Sequence, residues 1–124
     1  MNQKFKNRKH KISFKVSARG LVLAFKTQPN FKVMSVFTVL VVLFGFLFNI
    51  SCVDWMFLVM AIFLVYICEM INTSIEAMVD LITTEWREDA KMAKDIGSGM
   101  VLVSVMLSVA IGFLVFLPKA LELL

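Results

Sequence analysis

The sequence predicts an all-α membrane protein in which an N-terminal amphipathic surface helix precedes three transmembrane helices. Two observations support this prediction. The chain has 124 residues, is 60% hydrophobic and has a mean hydropathy of +0.85, so it is too apolar for a soluble domain and too short for a second domain. Uncharged apolar runs also recur at three places, over residues 33–50, 55–68 and 100–117. We therefore expect one membrane domain over residues 1–124.

The N-terminal region is predicted to be a basic tail over residues 1–11 and a surface helix over residues 12–28. Apolar and basic side chains form neighbouring stripes at helical spacing, with Phe14, Ala18, Leu21, Val22 and Phe25 on one and Lys11, Lys15 and Arg19 on the other. Such a helix lies on a membrane with its basic side chains facing anionic headgroups. A disordered tail is the alternative, and it suits residues 1–10 better than 12–26. Pro29 is expected to end the helix.

Three transmembrane helices are predicted over residues 33–50, 55–81 and 100–117. The first and third runs are each 18 residues long without a charge. At a rise of 1.5 Å per residue, such a run covers about 27 Å, close to the hydrocarbon core of about 30 Å. We expect the chain to enter the membrane near residues 30–32. A short turn at 51–54 and a polar loop at 82–99 are expected to join the spans.

The distribution of basic residues predicts the orientation of these spans. Nine of the 13 Lys and Arg residues precede the first span, and three of the others lie between residues 82 and 99. Positively charged segments stay on the cytoplasmic side. The N-terminus and the second loop are therefore expected in the cytoplasm, and the C-terminus outside. No small-residue cleavage pattern follows the first span, so we expect no cleaved signal peptide.

A set of polar side chains interrupts the second predicted span near its cytoplasmic end. At 100° per residue they fall on one narrow helix face, and they are Glu69, Asn72, Thr73, Glu76 and Asp80. A carboxylate inside a membrane helix costs roughly 2.5–3.5 kcal/mol on insertion scales, so it marks a candidate functional site. A solvated helix end is the alternative. It accounts for Asp80 and Glu76 but does not explain why Asn72 and Thr73 share their face.

The depth of these carboxylates suggests their chemistry. Counted from Trp55 at the outer interface, Glu69 lies about 21 Å along the helix axis and Glu76 about 31 Å. The helix therefore bridges the lipid headgroups and the cytosol, where a soluble phosphorylated substrate can meet a lipid hydroxyl. Phosphoryl transfer needs a base near that hydroxyl, metal ions on the phosphates and cations on the developing charge. Glu69, Glu76 and Lys94 have the depth for these roles in that order.

Other chemistries lack the residues that they need. Cys52 and Cys68 are expected at different depths of the membrane, which argues against a disulfide or a metal-binding pair. His10 stands alone, and the five glycines form no phosphate-binding loop. A carboxylate-lined conduit is disfavoured because the outer half of the second span has no polar path. We expect no nucleic-acid partner.

One combination of residues extends over most of the chain, from about residue 13 to about residue 118. It consists of Glu69-x-x-Asn72-x-x-Ile75-Glu76-x-x-Val79-Asp80, then Glu85, then Ala93-Lys94-Asp95-x-Gly97-Ser98, with Gly20 and Asn30-Phe31-Lys32 upstream. In this combination the chain resembles the small prokaryotic diacylglycerol kinases and undecaprenol kinases. The resemblance implies a homotrimer of three-span subunits in the bacterial inner membrane. It also implies active sites built between subunits, a membrane lipid as acceptor, ATP as phosphoryl donor and Mg²⁺ as cofactor.

The resemblance also implies a role for individual side chains. Glu69 matches the catalytic proton acceptor and contacts the lipid, and Glu76 matches a ligand of the metal and of ATP. Asn72 and Asp80 are expected to order the site, and Ser98 to lie near the lipid. The other residues expected to bind ATP are Lys9, Val16, Gln28, Glu85, Trp86, Arg87, Lys94 and Asp95.

Three positions depart from the family pattern. Gln28 stands where the family usually has a Glu that shares the metal with Glu76, Met34 where many relatives have a His, and Val16 where some have an aromatic residue. Gln28 keeps an oxygen ligand but loses the charge, so metal affinity is expected to fall. The alternative function is therefore a catalytically weakened or non-enzymatic trimeric homologue.

The resemblance leaves the lipid substrate open between diacylglycerol and undecaprenol. Two segments look more like the undecaprenol-phosphorylating branch, namely Val79-Asp80-Leu81 and Phe116-Leu117-Pro118-Lys119. Lipid-facing residues are interchangeable, so these segments do not decide between the two lipids.

Overall fold

The computed structural model describes residues 13–124, and every regular element in that range is an α-helix. The four helices are α1 (Phe14–Thr27), α2 (Pro29–Leu47), α3 (Cys52–Ile82) and α4 (Glu88–Glu122). The last three are long and apolar enough to cross a membrane, with mean hydropathies of 2.0, 2.0 and 2.8. The prediction of one short N-terminal helix and three long apolar helices is confirmed.

The junction between α1 and α2 is a single residue, Gln28. Its backbone is extended (φ −103°, ψ 112°), the conformation that a following proline imposes on its neighbour. Pro29 is the first residue of α2 and does not merely end α1. A proline fits this position because it lacks an N–H where the helix needs none. The predicted entry near residues 30–32 is therefore already helical, and α2 begins before residue 33.

The turn between α2 and α3 covers residues 48–51, three residues earlier than predicted. Asn49 takes a left-handed conformation (φ 46°), which Asn tolerates better than most residues. The Ser51 hydroxyl then accepts from the Asp54 backbone N–H (3.1 Å), and the Asp54 carboxylate accepts from the Ser51 backbone N–H (3.1 Å). This capping box starts α3 at Cys52. Most of the predicted 51–54 turn therefore lies inside the helix.

The connection between α3 and α4 comprises only residues 83–87, although the sequence predicted a loop over 82–99. The hydropathy of the chain locates the lipid-crossing part of α4 but misses its polar N-terminal extension. Glu88 and Asp89 occupy the first turn, where negative charge stabilises a helix N-terminus. At 31 and 35 residues, α3 and α4 are about 46 and 52 Å long, so both exceed the hydrocarbon core.

The helices pack as antiparallel neighbours, with a different kind of contact at each end. At one end Ile50, Leu58 and Val115 form a small buried apolar core. At the other end Phe31 is fully buried, and its ring lies 5.0 Å from Phe25 and 5.4 Å from Tyr66, centroid to centroid. This aromatic cluster brings the end of α1 and the start of α2 against α3, beside the polar face of α3.

Candidate functional site

The acidic face of α3 is buried where it begins and exposed where it ends. Glu69 is 2% exposed and Asn72 is 6% exposed, whereas Glu76 is half-buried and Asp80 is exposed. A solvated helix end does not bury Glu69 and Asn72 in this way. Side-chain exposure instead rises along this face, from Glu69 in the protein interior to Asp80 in water.

The Glu69 carboxylate is held by a side chain from another helix. Nδ2 of Asn30, in the first turn of α2, donates to Oε1 of Glu69 over 2.9 Å. Among residues 13–124, no other side chain donates a hydrogen bond to this carboxylate. A charged group of this kind needs partners when it leaves water. Oε2 of Glu69 accepts no hydrogen bond from a side chain in the same range.

Asn72 orients the second carboxylate. Its Nδ2 donates to Oε1 of Glu76 over 3.0 Å. Its Oδ1 is buried, and within the described part of the chain it accepts no hydrogen bond. This oxygen faces Gly97 of α4, since a Cβ built on Gly97 would lie 2.6 Å from it. Asn72 therefore fits between α3 and α4 because residue 97 has no side chain.

Two ion pairs lie beyond Asn72, towards the exposed end of the helix pair. Nζ of Lys94 lies 2.5 Å from Oδ1 of Asp80 and joins α4 to α3. Lys91 pairs with Asp95 along α4. Exposed pairs of this kind contribute little to stability, about 0–1 kcal/mol. The Lys94–Asp80 pair brings Lys94 to the acidic face. That Lys94 meets a phosphate group stays a prediction.

Several predicted ATP-binding residues lie at the same end of the bundle but do not join this cluster. Glu85 and Trp86 are exposed in the 83–87 loop, where the Thr83 hydroxyl accepts from the Glu85 backbone N–H (3.1 Å). Arg87 is the N-cap of α4. The exposed residues Val16, on α1, and Ser98, on α4, have no hydrogen bond to the acidic face within residues 13–124, and Lys9 lies outside the described residues.

The donor set suits Mg²⁺ only in company with phosphate oxygens. Within residues 13–124 no three His, Cys, Asp or Glu side chains group closely enough to hold a metal ion. Magnesium is commonly bound by one or two carboxylates together with substrate phosphates and waters. Glu76, with one oxygen fixed by Asn72, can supply a carboxylate ligand. Gln28, half-buried at the start of α2, can supply a neutral oxygen.

Sequence reasoning missed two residues that shape this region. Asn30 belongs to the quoted motif but has no role in the sequence prediction. Tyr66 was passed over as apolar, yet its hydroxyl lies 3.1 Å from Ser35 Oγ and 3.4 Å from Thr38 Oγ1. Ser35 and Thr38 lie three positions apart in the otherwise apolar first span. That spacing was the sequence signal for a polar partner such as the Tyr66 hydroxyl. Nothing in a single sequence pairs residue 30 with residue 69.

Comparisons with known proteins identify the family of this chain. The family model described as "Prokaryotic diacylglycerol kinase" matches residues 15–116. The undecaprenol kinase of Bacillus subtilis (strain 168) is 38% identical over 107 residues, which cover 86% of this chain and 87% of that protein.

Diacylglycerol kinases are also similar to this chain. The enzyme of Synechocystis sp. is 33% identical over 114 residues, covering 91% of this chain and 65% of that protein. The enzyme of Escherichia coli (strain K12) is 32% identical over 93 residues, covering 75% and 76%. With three apolar helices of spanning length and a family match over most of its residues, this membrane protein belongs to the prokaryotic diacylglycerol kinase family.

Proposed function

We propose that the protein transfers the γ-phosphoryl group of ATP to the hydroxyl of a membrane lipid at the cytoplasmic leaflet. The observation that carries this proposal is the buried Glu69 carboxylate, held by Asn30 on a helix of spanning length. A carboxylate in that position costs free energy, so its presence there marks a candidate functional site. Membership of a family whose curated relatives are lipid kinases supports the same reaction.

In the proposed reaction, Oε2 of Glu69 accepts the proton of the lipid hydroxyl. The hydroxyl oxygen forms a bond to the γ-phosphorus, the bond from that phosphorus to the β–γ bridging oxygen breaks, and ADP leaves with the electron pair. Glu76 and Gln28 would hold Mg²⁺, which supplies positive charge to the phosphates when bound. Lys94 would exchange Asp80 for a phosphate oxygen. Asn72 keeps Glu76 in place, and the role of Glu69 as a general base contributes on the usual scale of about 10²–10⁴-fold.

We propose that the protein is a homotrimer in the bacterial inner membrane, with the N-terminus in the cytoplasm and the C-terminus outside. The basic residues before α2 and in the region of Arg87 to Lys94 support this orientation. Exposed apolar side chains cover α2, α3 and α4, which supports lipid and neighbouring subunits around each chain. The proposed ATP contacts from Lys9, Val16, Glu85, Trp86 and Asp95, and the lipid contact from Ser98, depend on that assembly.

The acceptor lipid is proposed to be undecaprenol or diacylglycerol. The 38% identity to an undecaprenol kinase and the Val79-Asp80-Leu81 segment favour undecaprenol as the first lipid to test. Gln28 favours a second candidate function, a trimeric homologue with weakened or absent catalysis, because a neutral side chain attracts Mg²⁺ less than a carboxylate does.

The test uses purified protein in nanodiscs that contain undecaprenol, diacylglycerol or a total bacterial lipid extract. The protein is incubated with Mg²⁺ and ATP labelled in the γ-phosphate, and the lipid fraction is extracted and counted. We expect γ-label in the lipid and none from ATP labelled in the α-phosphate. Absence of label from all three lipid preparations would contradict the kinase proposal and favour the non-catalytic homologue.

A further inference from the structure

We propose that Asn30 is a positioning residue that aims the Glu69 carboxylate at the lipid hydroxyl. This inference rests on the proposed function and gives a role to a residue outside the predicted site. The two residues are 39 positions apart in the chain and lie on different helices, yet Nδ2 of Asn30 lies 2.9 Å from Oε1 of Glu69. Since an ionised carboxylate only accepts hydrogen bonds, the amide nitrogen of Asn30 must face it.

The neighbours of Glu69 on its own helix do not provide this contact. Asn72 follows three residues later, but its amide nitrogen donates to Glu76 over 3.0 Å, and its oxygen faces Gly97. Tyr66 precedes Glu69 by three residues, but its hydroxyl lies among Ser35 and Thr38. Within residues 13–124, Asn30 is thus the side chain that fixes the direction of the Glu69 carboxylate.

The local structure holds Asn30 in register with Glu69. Pro29 starts α2 and presets its first turn, so Asn30 is rigidly placed as the second residue of the helix. Phe31 follows at once and is 0% exposed, packed against Tyr66 of α3. This packing of Phe31 keeps the start of α2 from sliding along α3.

The chemistry of an amide suits this task. Asn does not exchange protons with its partner, so it can hold one oxygen of the base and leave proton transfer to the other. A hydrogen bond to a charged group is stronger than one between neutral groups. Without it the carboxylate can rotate, and fewer encounters would place Oε2 within reach of the hydroxyl proton.

The first test compares wild type with Asn30→Ala, Asn30→Asp and the control Ser35→Ala in the γ-labelled ATP assay. We expect both Asn30 variants to lower kcat by about tenfold or more, with the KM for Mg-ATP within about twofold of wild type. Asn30→Asp preserves the shape of the side chain but replaces the amide donor with a second acidic group. Near-normal kcat for Asn30→Ala would show that the contact does not position Glu69 and would overturn the inference. Ser35→Ala removes a contact of the same helix seam that does not touch Glu69, and we expect little change.

A double-mutant cycle separates positioning from a general structural effect. If Asn30 acts through Glu69, adding Asn30→Ala to Glu69→Gln changes the residual rate by less than about twofold, because coupled residues are not additive. A second loss of about tenfold in the Glu69→Gln background would show that Asn30 acts independently of Glu69. Thermal unfolding of every variant in detergent identifies any that fail to fold.

An infrared measurement tests the contact without requiring catalysis. The difference spectrum between wild type and Glu69→Gln isolates the carboxylate band of Glu69. The same difference measured in an Asn30→Ala background is expected to show that band shifted, because the carboxylate has lost its donor. An unchanged band would overturn the inference even if the wild type phosphorylates lipid. A shifted band in a protein that labels no lipid would support the contact and reject the kinase proposal.

Discussion

At the residue scale, two carboxylates on one helix are held by two different amides. Asn30, from α2, holds Glu69, and Asn72, from α3 itself, holds Glu76. Glu69 is almost completely buried, while Glu76 is half-buried and open to the aqueous end. In the proposed reaction, the buried carboxylate serves the lipid hydroxyl and the half-buried one a phosphate-bound cation.

Gln28 is the position at which the proposed metal site departs from the family pattern. We predict that Gln28→Glu lowers the Mg²⁺ concentration needed for half-maximal lipid phosphorylation. A second carboxylate near Glu76 adds attraction for a hard divalent cation in a partly desolvated site. The measurement is a Mg²⁺ titration of the labelled-ATP assay.

The matched comparison is Glu76→Gln, which removes a carboxylate from the same proposed site and should raise the Mg²⁺ requirement. An identical titration for wild type and Gln28→Glu would show that residue 28 does not contact the metal. Activity that appears only with Gln28→Glu would identify the natural protein as a catalytically degraded member of the family.

At the element scale, the fit of Asn72 of α3 against α4 depends on Gly97. An added methyl group would lie 2.6 Å from Asn72 Oδ1, so the end of Asn72 would have to rotate and release Glu76. We predict that Gly97→Ala lowers turnover by about tenfold or more, the scale of a lost hydrogen bond to a charged group. The labelled-ATP assay measures this loss, and thermal unfolding shows whether the fold is retained.

Gly99→Ala is the control for this prediction, since a Cβ at residue 99 meets nothing within 4 Å. It adds the same methyl group to the same turn of α4, and we expect turnover close to wild type. Equal losses in both variants would point to a general need for glycine in this turn and would contradict the specific contact with Asn72.

The elements also show what a sequence can and cannot predict. Hydropathy located all three long helices and helical periodicity placed Glu69, Asn72 and Glu76 on one face, because both signals are local. The positions of the helix ends were predicted less accurately. Hydropathy registers lipid-crossing residues only, so it missed the polar first turns of α4. Pro29 follows the end of α1 as predicted, but it is also the first residue of α2, which was not predicted.

Contacts between helices lay beyond sequence reasoning for a different reason. The pairing of Asn30 with Glu69 depends on the register of α2 against α3, and the fit of Asn72 against Gly97 on the register of α3 against α4. Packing between helices, such as that of Phe31 on Tyr66, sets the register. Periodicity within one helix carries no information about it. The family resemblance indicated Asn72 as a residue that orders the site but gave no role to Asn30.

At the scale of the whole molecule, orientation decides whether ATP can reach the acidic face. Cys52 starts α3 and is exposed, Cys68 is buried, and Arg87 lies just beyond the other end of α3. In spheroplasts, we predict that a membrane-impermeant maleimide labels Cys52 from outside. In a Cys52→Ser background, Arg87→Cys should be labelled only after the membrane is permeabilised.

Cys52→Ser alone provides the control, because buried Cys68 should contribute little label. The reverse pattern would put the Glu76 end of α3 outside the cell, away from cytoplasmic ATP. In that case the orientation predicted from the basic residues and the proposed kinase reaction would both be contradicted.

The central claim is that Glu69 accepts the proton when this membrane protein phosphorylates a lipid. The most direct measurement compares initial rates of γ-label transfer to lipid by wild type, Glu69→Gln and Glu122→Gln in nanodiscs. Glu122 is an exposed residue near the C-terminus that pairs with Lys119, so its amide variant controls for loss of a carboxylate. We predict a rate at least about a hundredfold lower for Glu69→Gln, the usual scale for losing a general base, and a near-normal rate for Glu122→Gln. Near-normal transfer by Glu69→Gln would contradict the assignment of Glu69 as the base.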